Sequence, residues 1–249
     1  MKISIITVVY NNASTIGDAI DSVLSQDYKN LEYIIIDGGS TDGTIDIIKE
    51  YGDKITKFIS EPDNGLYDAM NKGFKLASGD VIGIINSDDF FASDDVLSVV
   101  AESFKSNDIE TLYADLEYVD AVNTDKSLRK WKSKPYSKKL FAKGWHPAHP
   151  TFYAKRSAYE EYGYFKTELT IAADYELMLR FLEKFKSESL YIPKVFVKMR
   201  TGGESNKSFR NILKANIQCY KSWKLNGLKV SPLIILRKPF FKLFQYFNH

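Results

Sequence analysis

The sequence GDVIGIINSDDF, residues 79–90, decides the fold of this chain. Its apolar half, 81–85, is rich in β-branched residues, which is typical of a strand buried on both faces. The run ends abruptly in Asn86, Ser87, Asp88 and Asp89. Adjacent carboxylates at the end of a buried strand are unfavourable for folding alone, but they suit a hard divalent cation, which takes oxygen ligands. The alternative is a polar turn in which Asp88 or Asp89 caps the next helix.

Strands and helices alternate before this stretch. Apolar, β-branched segments predict three further strands: 2–9, 31–36 and 55–60. Apolar residues at helical spacing predict the helices that follow them: 16–24, 45–51 and 66–77. The alternation predicts an α/β fold with a mostly parallel, Rossmann-like central sheet flanked by helices. Ligands of such sheets bind outside the carboxyl ends of strands, where Asp37 and Asp88 fall.

Composition divides the chain unevenly. Of its 249 residues, 207–249 hold nine Lys or Arg and no acid, so the preceding part carries 25 bases and 32 acids. We therefore expect a main domain, 1–206, and a basic, amphipathic helical tail, 207–249. The single cysteine, Cys219, excludes an intramolecular disulfide framework and a Cys-based zinc site. No signal peptide and no membrane-spanning run of apolar residues are expected.

Two nucleotide-binding classes are disfavoured by the loop after the first strand. A dinucleotide-binding Rossmann domain needs G-x-G-x-x-G there, but the chain has Tyr10, Asn11 and Asn12. A Walker A sequence is absent as well. The glycine-rich turn after the second strand, 38–44, is by itself equally compatible with a sharp connection to the next helix.

Four motifs in order carry a resemblance to a known family: SIITVVYNN (4–12), DGGSTDGT (37–44), NGLYDAMNKG (64–73) and NSDD (86–89). Their order, spacing and position at strand ends resemble the family 2 glycosyltransferases, over about the first 200 residues. The resemblance implies a GT-A fold, a nucleotide-sugar donor with a UDP-sugar preferred, Mn²⁺ or Mg²⁺, and inverting transfer. It also implies a role in the synthesis of bacterial cell-surface polysaccharide.

The resemblance also implies roles for individual residues. Asp88 matches the metal-binding acid, and Asp37 matches the acid that accepts a hydrogen bond from the base. The set expected to bind the nucleotide is Thr7, Tyr10, Asn11, Asp37, Asp68, Lys72, Asn86 and Ser87. Two positions depart from the family. Asn86 replaces an acid that usually faces the ribose, and Met70 stands where many members have an Arg. Lys72 either supplies that missing charge or is a solvated helix lysine.

The second half holds the expected catalytic residues. His146 and His149 lie in a proline-containing loop, and the chain has too few further His or Cys for a zinc site. The resemblance places such a loop beside the acceptor and the diphosphate, so both are candidate site residues. Asp174, before an amphipathic helix, matches the family's general base, although it also suits a helix cap. Glu176 is the second candidate for that base.

The tail suggests where the protein works. Phe209, Ile212, Leu213, Ile217 and Tyr220 recur at helical spacing. Basic residues alternate with bulky apolar ones from residue 233 onwards, which favours an anionic membrane surface. We expect a cytoplasmic protein bound peripherally to the inner face of the membrane. The alternatives are a helix packed on the main domain and, with little support from an acidic body, nucleic-acid binding.

These observations predict an inverting, metal-dependent glycosyltransferase. The acceptor is expected to be a glycan or a lipid-linked molecule. One alternative is a nucleotidyltransferase, although that class favours a basic, glycine-rich loop after the first strand. The other is a non-catalytic sugar-binding relative, an idea that Asn86 supports and the retained acids Asp37, Asp88 and Asp174 oppose.

Overall fold

The computed structural model describes residues 1–202 and 209–232. The strands within these ranges are β1 (Ile3–Val9), β2 (Leu31–Asp37), β3 (Lys57–Ser60), β4 (Val81–Ile84), β5 (Asp89–Phe91), β6 (Thr111–Val119), β7 (Ser127–Trp131), β8 (Tyr153–Lys155) and β9 (Ser189–Arg200). The α-helices are α1 (Ile16–Leu24), α2 (Thr44–Glu50), α3 (Leu66–Leu76), α4 (Val96–Ser106), α5 (Arg156–Tyr162), α6 (Ala173–Leu179) and α7 (Phe209–Leu225). A π-helical turn, Arg180–Lys184, continues α6.

The strands form one sheet in the order β3-β2-β1-β4-β8-β6-β9-β5, with β7 paired to β6. The first four strands are parallel, as predicted. Beyond β4 the sheet is mixed, because the short strand β8 runs antiparallel to both of its neighbours. The chain leaves β1 towards β2 on one side and later returns to β4 on the other. The carboxyl end of β1 is therefore the point where the strand order reverses, and open α/β sheets bind ligands at such a point.

Helices cover both faces of the sheet, which confirms the predicted α/β class. One face packs on α1, α2 and α4, and the other packs on α3, α5 and α6. Helix α3 approaches β1 closely at Gly73, where a Cβ atom would lie 2.5 Å from Cγ2 of Ile6. A side chain there would push α3 off the sheet, so glycine fixes the position of the helix that carries Tyr67 and Asp68.

The described part of the tail packs on the main domain. Cys219 and Trp223 of α7 are buried in the core cluster that includes α6. Trp223 Nε1 donates to the hydroxyl of Tyr175 at 3.0 Å, and Asn226 Nδ2 donates to Glu176 Oε1 at 2.9 Å. The structure thus differs from the expected division at 206/207, because α7 contributes buried side chains to the main domain. The remaining tail residues, 233–249, lie outside the described residues, and the prediction made for them stays a prediction.

The middle of the chain follows the sequence in part. The sequence also predicts strands at 111–119 and 127–132, as a hairpin, and a closing strand at 190–197. The hairpin is present as β6 and β7, and the closing strand is β9, which extends to Arg200. Three elements are not anticipated by the sequence patterns: β5, which follows the acidic turn and pairs with β9, the short strand β8 and the short helix α5. Within 1–202 and 209–232, no helix combines the length and apolar character that crossing a bilayer requires.

Candidate active site

The carboxyl ends of β1, β2 and β4 lie at one edge of the sheet and are tied together by side chains. Asn12 Nδ2, after β1, donates to Ser87 Oγ, after β4, at 2.9 Å. Asn11 accepts the backbone N–H of Thr41 on its Oδ1 at 2.8 Å and donates its own backbone N–H to Ser40 Oγ at 2.7 Å. These loops and the loop after β3, whose Ser60 hydroxyl donates to Asp37 at 2.7 Å, therefore form one hydrogen-bonded surface, which we call the donor edge (residues 10–15, 37–44, 60–65 and 86–89).

Asp37 anchors this surface from inside. Its carboxylate is buried and accepts the backbone N–H groups of Gly39 and Ser40, each at 3.0 Å, and the hydroxyl of Ser60 at 2.7 Å. The hydroxyl of Ser40 also donates to it. The carboxylate expected to meet a base is thus directed into the turn. Its clear role in this structure is to hold the glycine-rich turn in shape.

Thr7 also lies inside the protein. Its hydroxyl is 3.0 Å from the hydroxyl of Tyr33, and both side chains are buried. Tyr10, in contrast, is 65% exposed, and its ring lies against Gly38. A Cβ atom on Gly38 would lie 2.5 Å from Oδ2 of Asp63. The Asp63 carboxylate and the Tyr10 ring therefore both lie next to the backbone of Gly38. Asp63 was not among the predicted residues, because nothing in the sequence separates it from an ordinary turn residue.

Asp68 and Lys72 stabilise the loop that precedes α3. Asp68 Oδ2 accepts the backbone N–H of Asn64 at 3.0 Å. Lys72 Nζ forms an ion pair with Glu61 at 2.7 Å and donates to the carbonyl of Pro62 at 3.0 Å. The hydrogen bond to Glu61 raises the pKa of Lys72. Both side chains are therefore engaged in shaping the donor edge, and Lys72 is not simply a solvated helix lysine.

The acidic turn separates its two carboxylates. Asp89 is buried and accepts Asn86 Nδ2 at 2.9 Å, so Asn86 is turned towards Asp89. Burial, together with the neighbouring charge of Asp88, raises the pKa of Asp89 well above its usual range. Asp88 is half-buried, and its carboxylate makes no hydrogen bond or ion pair with the residues that the structure describes. Of the two acids, only Asp88 has free oxygens for a ligand.

Arg200, at the end of β9, holds this turn in place. Its guanidinium donates to the carbonyl of Asp88 at 2.9 Å, pairs with Asp18 and lies 5.0 Å from the Phe90 ring centre. Its backbone N–H lies 3.3 Å from Asp89 Oδ1. Arg200 was missed by the sequence analysis, since the closing strand was expected to end before it. A cationic side chain here also offsets part of the charge of the two adjacent acids.

Asp88 fits a divalent cation as one ligand among several. The described ranges contain no group of three or more His, Cys, Asp or Glu side chains placed to bind a metal ion. Mg²⁺ and similar ions are commonly held by one or two carboxylates, with substrate phosphates and water filling the other positions. One unpaired carboxylate at a sheet edge matches that pattern, and it does not match a closed structural metal site.

Asp174 lies in the first turn of α6 and is held by two residues from distant parts of the chain. His149 Nδ1 lies 3.2 Å from Asp174 Oδ2, and the hydroxyl of Tyr67 lies 3.2 Å from Asp174 Oδ1. We call these three residues the base cluster. Burial, together with the charge of Asp174, raises the pKa of Tyr67 well above its usual range, so the phenol stays a hydrogen-bond donor. Tyr67 is in the first turn of α3, next to the donor edge, so the base cluster lies beside that edge.

The other two catalytic candidates are placed differently. Glu176 is fully buried, pairs with Arg180 at 3.0 Å and accepts Asn226 Nδ2. A carboxylate held by these partners has no path to a substrate, so Glu176 is a structural residue here. His146 is half-buried and packs edge-on against Trp131 at 5.1 Å and Tyr175 at 5.4 Å. It therefore lies in an aromatic cluster with Trp131 and Tyr175, and the latter is the residue next to Asp174 in the chain.

Comparisons with known proteins agree with this architecture. The model of the family described as "Glycosyl transferase family 2" matches residues 4–163. The chain is 29% identical to the putative glycosyltransferase EpsE of Bacillus subtilis over 251 residues, which cover 98% of this chain and 90% of the relative. It is 36% identical to an uncharacterized glycosyltransferase of Mycobacterium tuberculosis over 102 residues. That match covers 41% of this chain but only 39% of the relative, so the chain spans well under half of that protein.

Solved structures share the fold at low identity. S. aureus TarS 1-349 in complex with UDP-GlcNAc aligns with a TM-score of 0.69 at 17% identity, over 96% of this chain and 72% of that chain. The mannosyltransferase PcManGT from Pyrobaculum calidifontis, in complex with GDP-Man and Mn²⁺, aligns with a TM-score of 0.69 at 19% identity, over 97% and 70% of the two chains.

Proposed function

The chain belongs to the family 2 glycosyltransferases, and from that premise we propose that it transfers a sugar from a nucleoside diphosphate donor to a hydroxyl group with inversion at the anomeric carbon. The observation that carries the proposal is the base cluster beside the donor edge. The Asp88 carboxylate, which has no partner among the described residues, lies in the turn after β4, and a second carboxylate, Asp174, is oriented by His149 and Tyr67. Such a reaction needs one carboxylate to bind the cation that neutralises the leaving diphosphate. It needs a second carboxylate, acting as a base, to take the proton of the acceptor hydroxyl.

The donor edge is assigned to the nucleotide. The exposed ring of Tyr10 offers a face for the nucleobase, and the Asp63 carboxylate beside it accepts base N–H groups. Asp37 supports this surface by fixing the turn that presents Gly38, since its oxygens are taken by that turn. Asn11, Asn12 and Ser87 line the route towards Asp88 and contribute polar contacts to ribose and phosphate. A UDP-sugar is the preferred donor, by the family resemblance and because TarS was solved with UDP-GlcNAc.

Asp88 is assigned to a divalent cation, Mn²⁺ or Mg²⁺. When bound, such a cation neutralises the negative charge that develops on the diphosphate as it leaves. Arg200 holds the backbone of Asp88, and Asn86 engages Asp89, which leaves the Asp88 carboxylate without a partner among the described residues. PcManGT, which was solved with Mn²⁺, gives this assignment a precedent in the same fold.

Asp174 is assigned as the general base. The acceptor hydroxyl attacks the anomeric carbon, a new carbon–oxygen bond forms, and the bond from that carbon to the diphosphate oxygen breaks. The proton of the hydroxyl passes to the Asp174 carboxylate. His149 and Tyr67 orient the two carboxylate oxygens, and burial of the Tyr67 ring limits access of water to one side of the base. Because a single displacement occurs, the anomeric configuration inverts.

The donor assignment is tested by thermal shift with a panel of nucleotide sugars, with and without Mn²⁺. A ligand that binds only the folded state raises the melting temperature in proportion to the logarithm of its concentration over Kd. We expect a UDP-sugar to give the largest shift, and chelation of the metal to reduce it. Product formation with that donor, followed by NMR of the anomeric proton, then reports the inversion. No shift with any nucleotide sugar at millimolar concentration would refute the donor proposal.

A peripheral membrane site is the second part of the proposal, with a glycan or lipid-linked acceptor. The outer face of α7 exposes Leu213 (47%) and Ile217 (39%) beside Lys214, Lys221 and Lys224. Apolar and basic side chains on one helical face favour an anionic bilayer surface. The protein is expected to sediment with vesicles rich in anionic lipid and to be partly released by salt. Lys221→Glu together with Lys224→Glu should abolish sedimentation, and equal binding to neutral vesicles would contradict the proposal.

A further inference from the structure

We propose that Gln218 of α7 is a positioning residue for Asp174. The inference rests on the proposed role of Asp174 as general base. Gln218 lies outside the residues that the family model matches, and so does Asp174 itself. Asp174 follows a loop that enters α6 with no side-chain cap from its own N-cap residue, Ala172. The side chain that holds this loop comes instead from α7.

The Gln218 amide binds three consecutive residues of the loop. Its Oε1 accepts the backbone N–H groups of Ile171 at 2.9 Å and Ala172 at 3.1 Å. Its Nε2 donates to Thr170 Oγ1 at 3.1 Å. Two backbone donors can face only an acceptor atom, so the chemistry of the loop fixes the orientation of the amide. Because Gln218 is only 7% exposed, water cannot readily replace these bonds when the side chain is removed.

The same peptide unit is held from the other side by the base cluster. The carbonyl of Ile171 lies 3.0 Å from the Tyr67 hydroxyl, which also lies 3.2 Å from Asp174 Oδ1. Ile171 is therefore fixed at its N–H by Gln218 and at its carbonyl by Tyr67. Asp174 is three residues further along the chain. Its distance from Tyr67 and His149 thus depends on a loop that has buried anchors on both sides.

Trp223 of α7 and Asn226, in the turn after α7, keep α6 docked independently of Gln218. Trp223 bonds to Tyr175, and Asn226 bonds to Glu176. Loss of the Gln218 amide should therefore loosen the loop 170–172 while the body of α6 stays packed. The expected defect is in the placement of Asp174, because small displacements of a catalytic group cost rate steeply.

The test compares two substitutions of one side chain. Gln218→Met keeps the length and volume but removes both hydrogen-bonding atoms, and kcat is expected to fall by at least ~10-fold. Gln218→Glu keeps an oxygen that accepts both N–H groups, so it should retain most of the wild-type kcat. Donor Kd, measured by calorimetry, should be unchanged in both, because the donor edge lies before Phe90. Asn216→Met, on the same helix and with no assigned contact, is the matched control and should behave as wild type.

Three outcomes would overturn the inference. The first is full kcat in Gln218→Met. The second is an equal loss of kcat in the Met and Glu variants, which would show that the bonds to the Gln218 oxygen do not position Asp174. If Gln218→Met does not fold, Thr170→Val removes one bond only. It should lower kcat modestly with donor Kd unchanged, and full kcat in that variant is the third.

Failure of the proposed function looks different, since the wild type would then transfer no sugar from any nucleotide donor. In that case, hydrogen exchange at the Ile171 and Ala172 amides tests whether Gln218 anchors the loop 170–172. Faster exchange in Gln218→Met than in Asn216→Met supports the anchor, and equal exchange overturns it.

Discussion

The donor edge and the base cluster are built in opposite ways. At the donor edge, short loops bond to one another, as in the pair Asn11 and Thr41 or the pair Asn12 and Ser87, and most polar side chains are satisfied within it. The base cluster joins Tyr67, His149 and Asp174, which come from three distant segments and meet only when the second half of the chain packs on the first.

The two regions therefore owe their rigidity to different contacts. The donor edge is shaped by motifs of the first ninety residues that bond to one another, and Arg200 adds an anchor at the acidic turn. The base cluster depends on tertiary packing, including that of α7. Substitutions at the donor edge should therefore affect binding of the donor, and substitutions at the base cluster should affect turnover.

The largest effect is expected at Asp174. Asp174→Asn preserves size and can still bond to Tyr67 and His149, but it cannot take a proton. Turnover should fall by ~10² or more while donor Kd stays the same. Steady-state kcat and calorimetric Kd measure the two quantities. Asp108→Asn, at an exposed carboxylate paired only with Lys155 across 3.7 Å, is the control. Near-normal turnover in Asp174→Asn would remove the base assignment.

The next effect concerns the donor edge. Asp88→Ala should remove the dependence of donor binding on Mn²⁺ and weaken donor binding in the presence of the metal. The loss should reach at least the ~10–100-fold that is typical when an outer-shell partner of a metal is removed. The fold should be unaffected, because the Asp88 carboxylate has no partner among the described residues. Asp53→Ala, at an exposed residue of the short helical turn Gly52–Lys54, controls for charge. Metal-dependent binding that survives in Asp88→Ala would place the cation elsewhere.

The sequence predicted the first four strands and the carboxyl-edge position of the acids, because buried parallel strands are continuous apolar runs and their ends are marked by polar motifs. It could not predict that Asp37 and Thr7 point inwards, since a motif gives residue types but not the direction of a side chain. The backbone N–H groups of Gly39 and Ser40, in the turn itself, donate to the Asp37 carboxylate. The Thr7 hydroxyl is hydrogen-bonded to the hydroxyl of Tyr33 on the neighbouring strand.

The helical pattern of the tail illustrates a second limit. Three residues of the predicted apolar pattern are exposed: Ile212, Leu213 and Ile217. The buried face carries Cys219 and Trp223 but also the polar residues Gln218 and Ser222, and the buried Asn226 follows the helix. Gln218 and Asn226 bond to the loop and helix around Asp174, which are partners that no periodicity within the tail can reveal. The pairing of Glu176 with Arg180, in contrast, is a local contact between residues four positions apart, a spacing that favours such pairs on a helix.

A smaller effect separates orientation from proton transfer within the base cluster. Tyr67→Phe keeps the ring, which packs 5.3 Å from Phe165, and removes only the hydroxyl. Loss of one hydrogen bond worth about 1 kcal/mol should lower kcat about fivefold. Tyr164→Phe, at a half-buried ring nearby, is the matched control. If the hydroxyl acts through Asp174, its removal should matter much less in an Asp174→Asn background. An undiminished loss there would mean that the hydroxyl acts through the carbonyl of Ile171.

The smallest effect on activity is expected at a carboxylate on the opposite edge of the sheet. Glu32, near the start of β2, is buried and accepts Ser4 Oγ at 2.6 Å, the backbone N–H of Ser78 at 2.7 Å and Lys57 Nζ at 3.0 Å. Burial alone would raise the pKa of Glu32, but these hydrogen bonds outweigh it and lower the pKa from 4.5 to about 2. The folded state therefore binds the proton more weakly than the unfolded chain does.

The sign of the pH dependence follows from that shift. The stability that Glu32 contributes is fully present above pH 4.5 and is lost as the pH falls towards 2. Glu32→Gln should thus cost ~1–3 kcal/mol of unfolding free energy at pH 7 and flatten the loss of stability in that window. Denaturant unfolding at several pH values measures both, with the exposed Glu50→Gln as control. Because Glu32 lies away from the donor edge and the base cluster, kcat and donor Kd should match those of the wild type at temperatures well below melting. A reduced kcat at unchanged folded fraction would show that the two edges of the sheet are coupled. Glu32 would then affect catalysis as well as stability, and it could not be classed apart from Asp88 and Asp174.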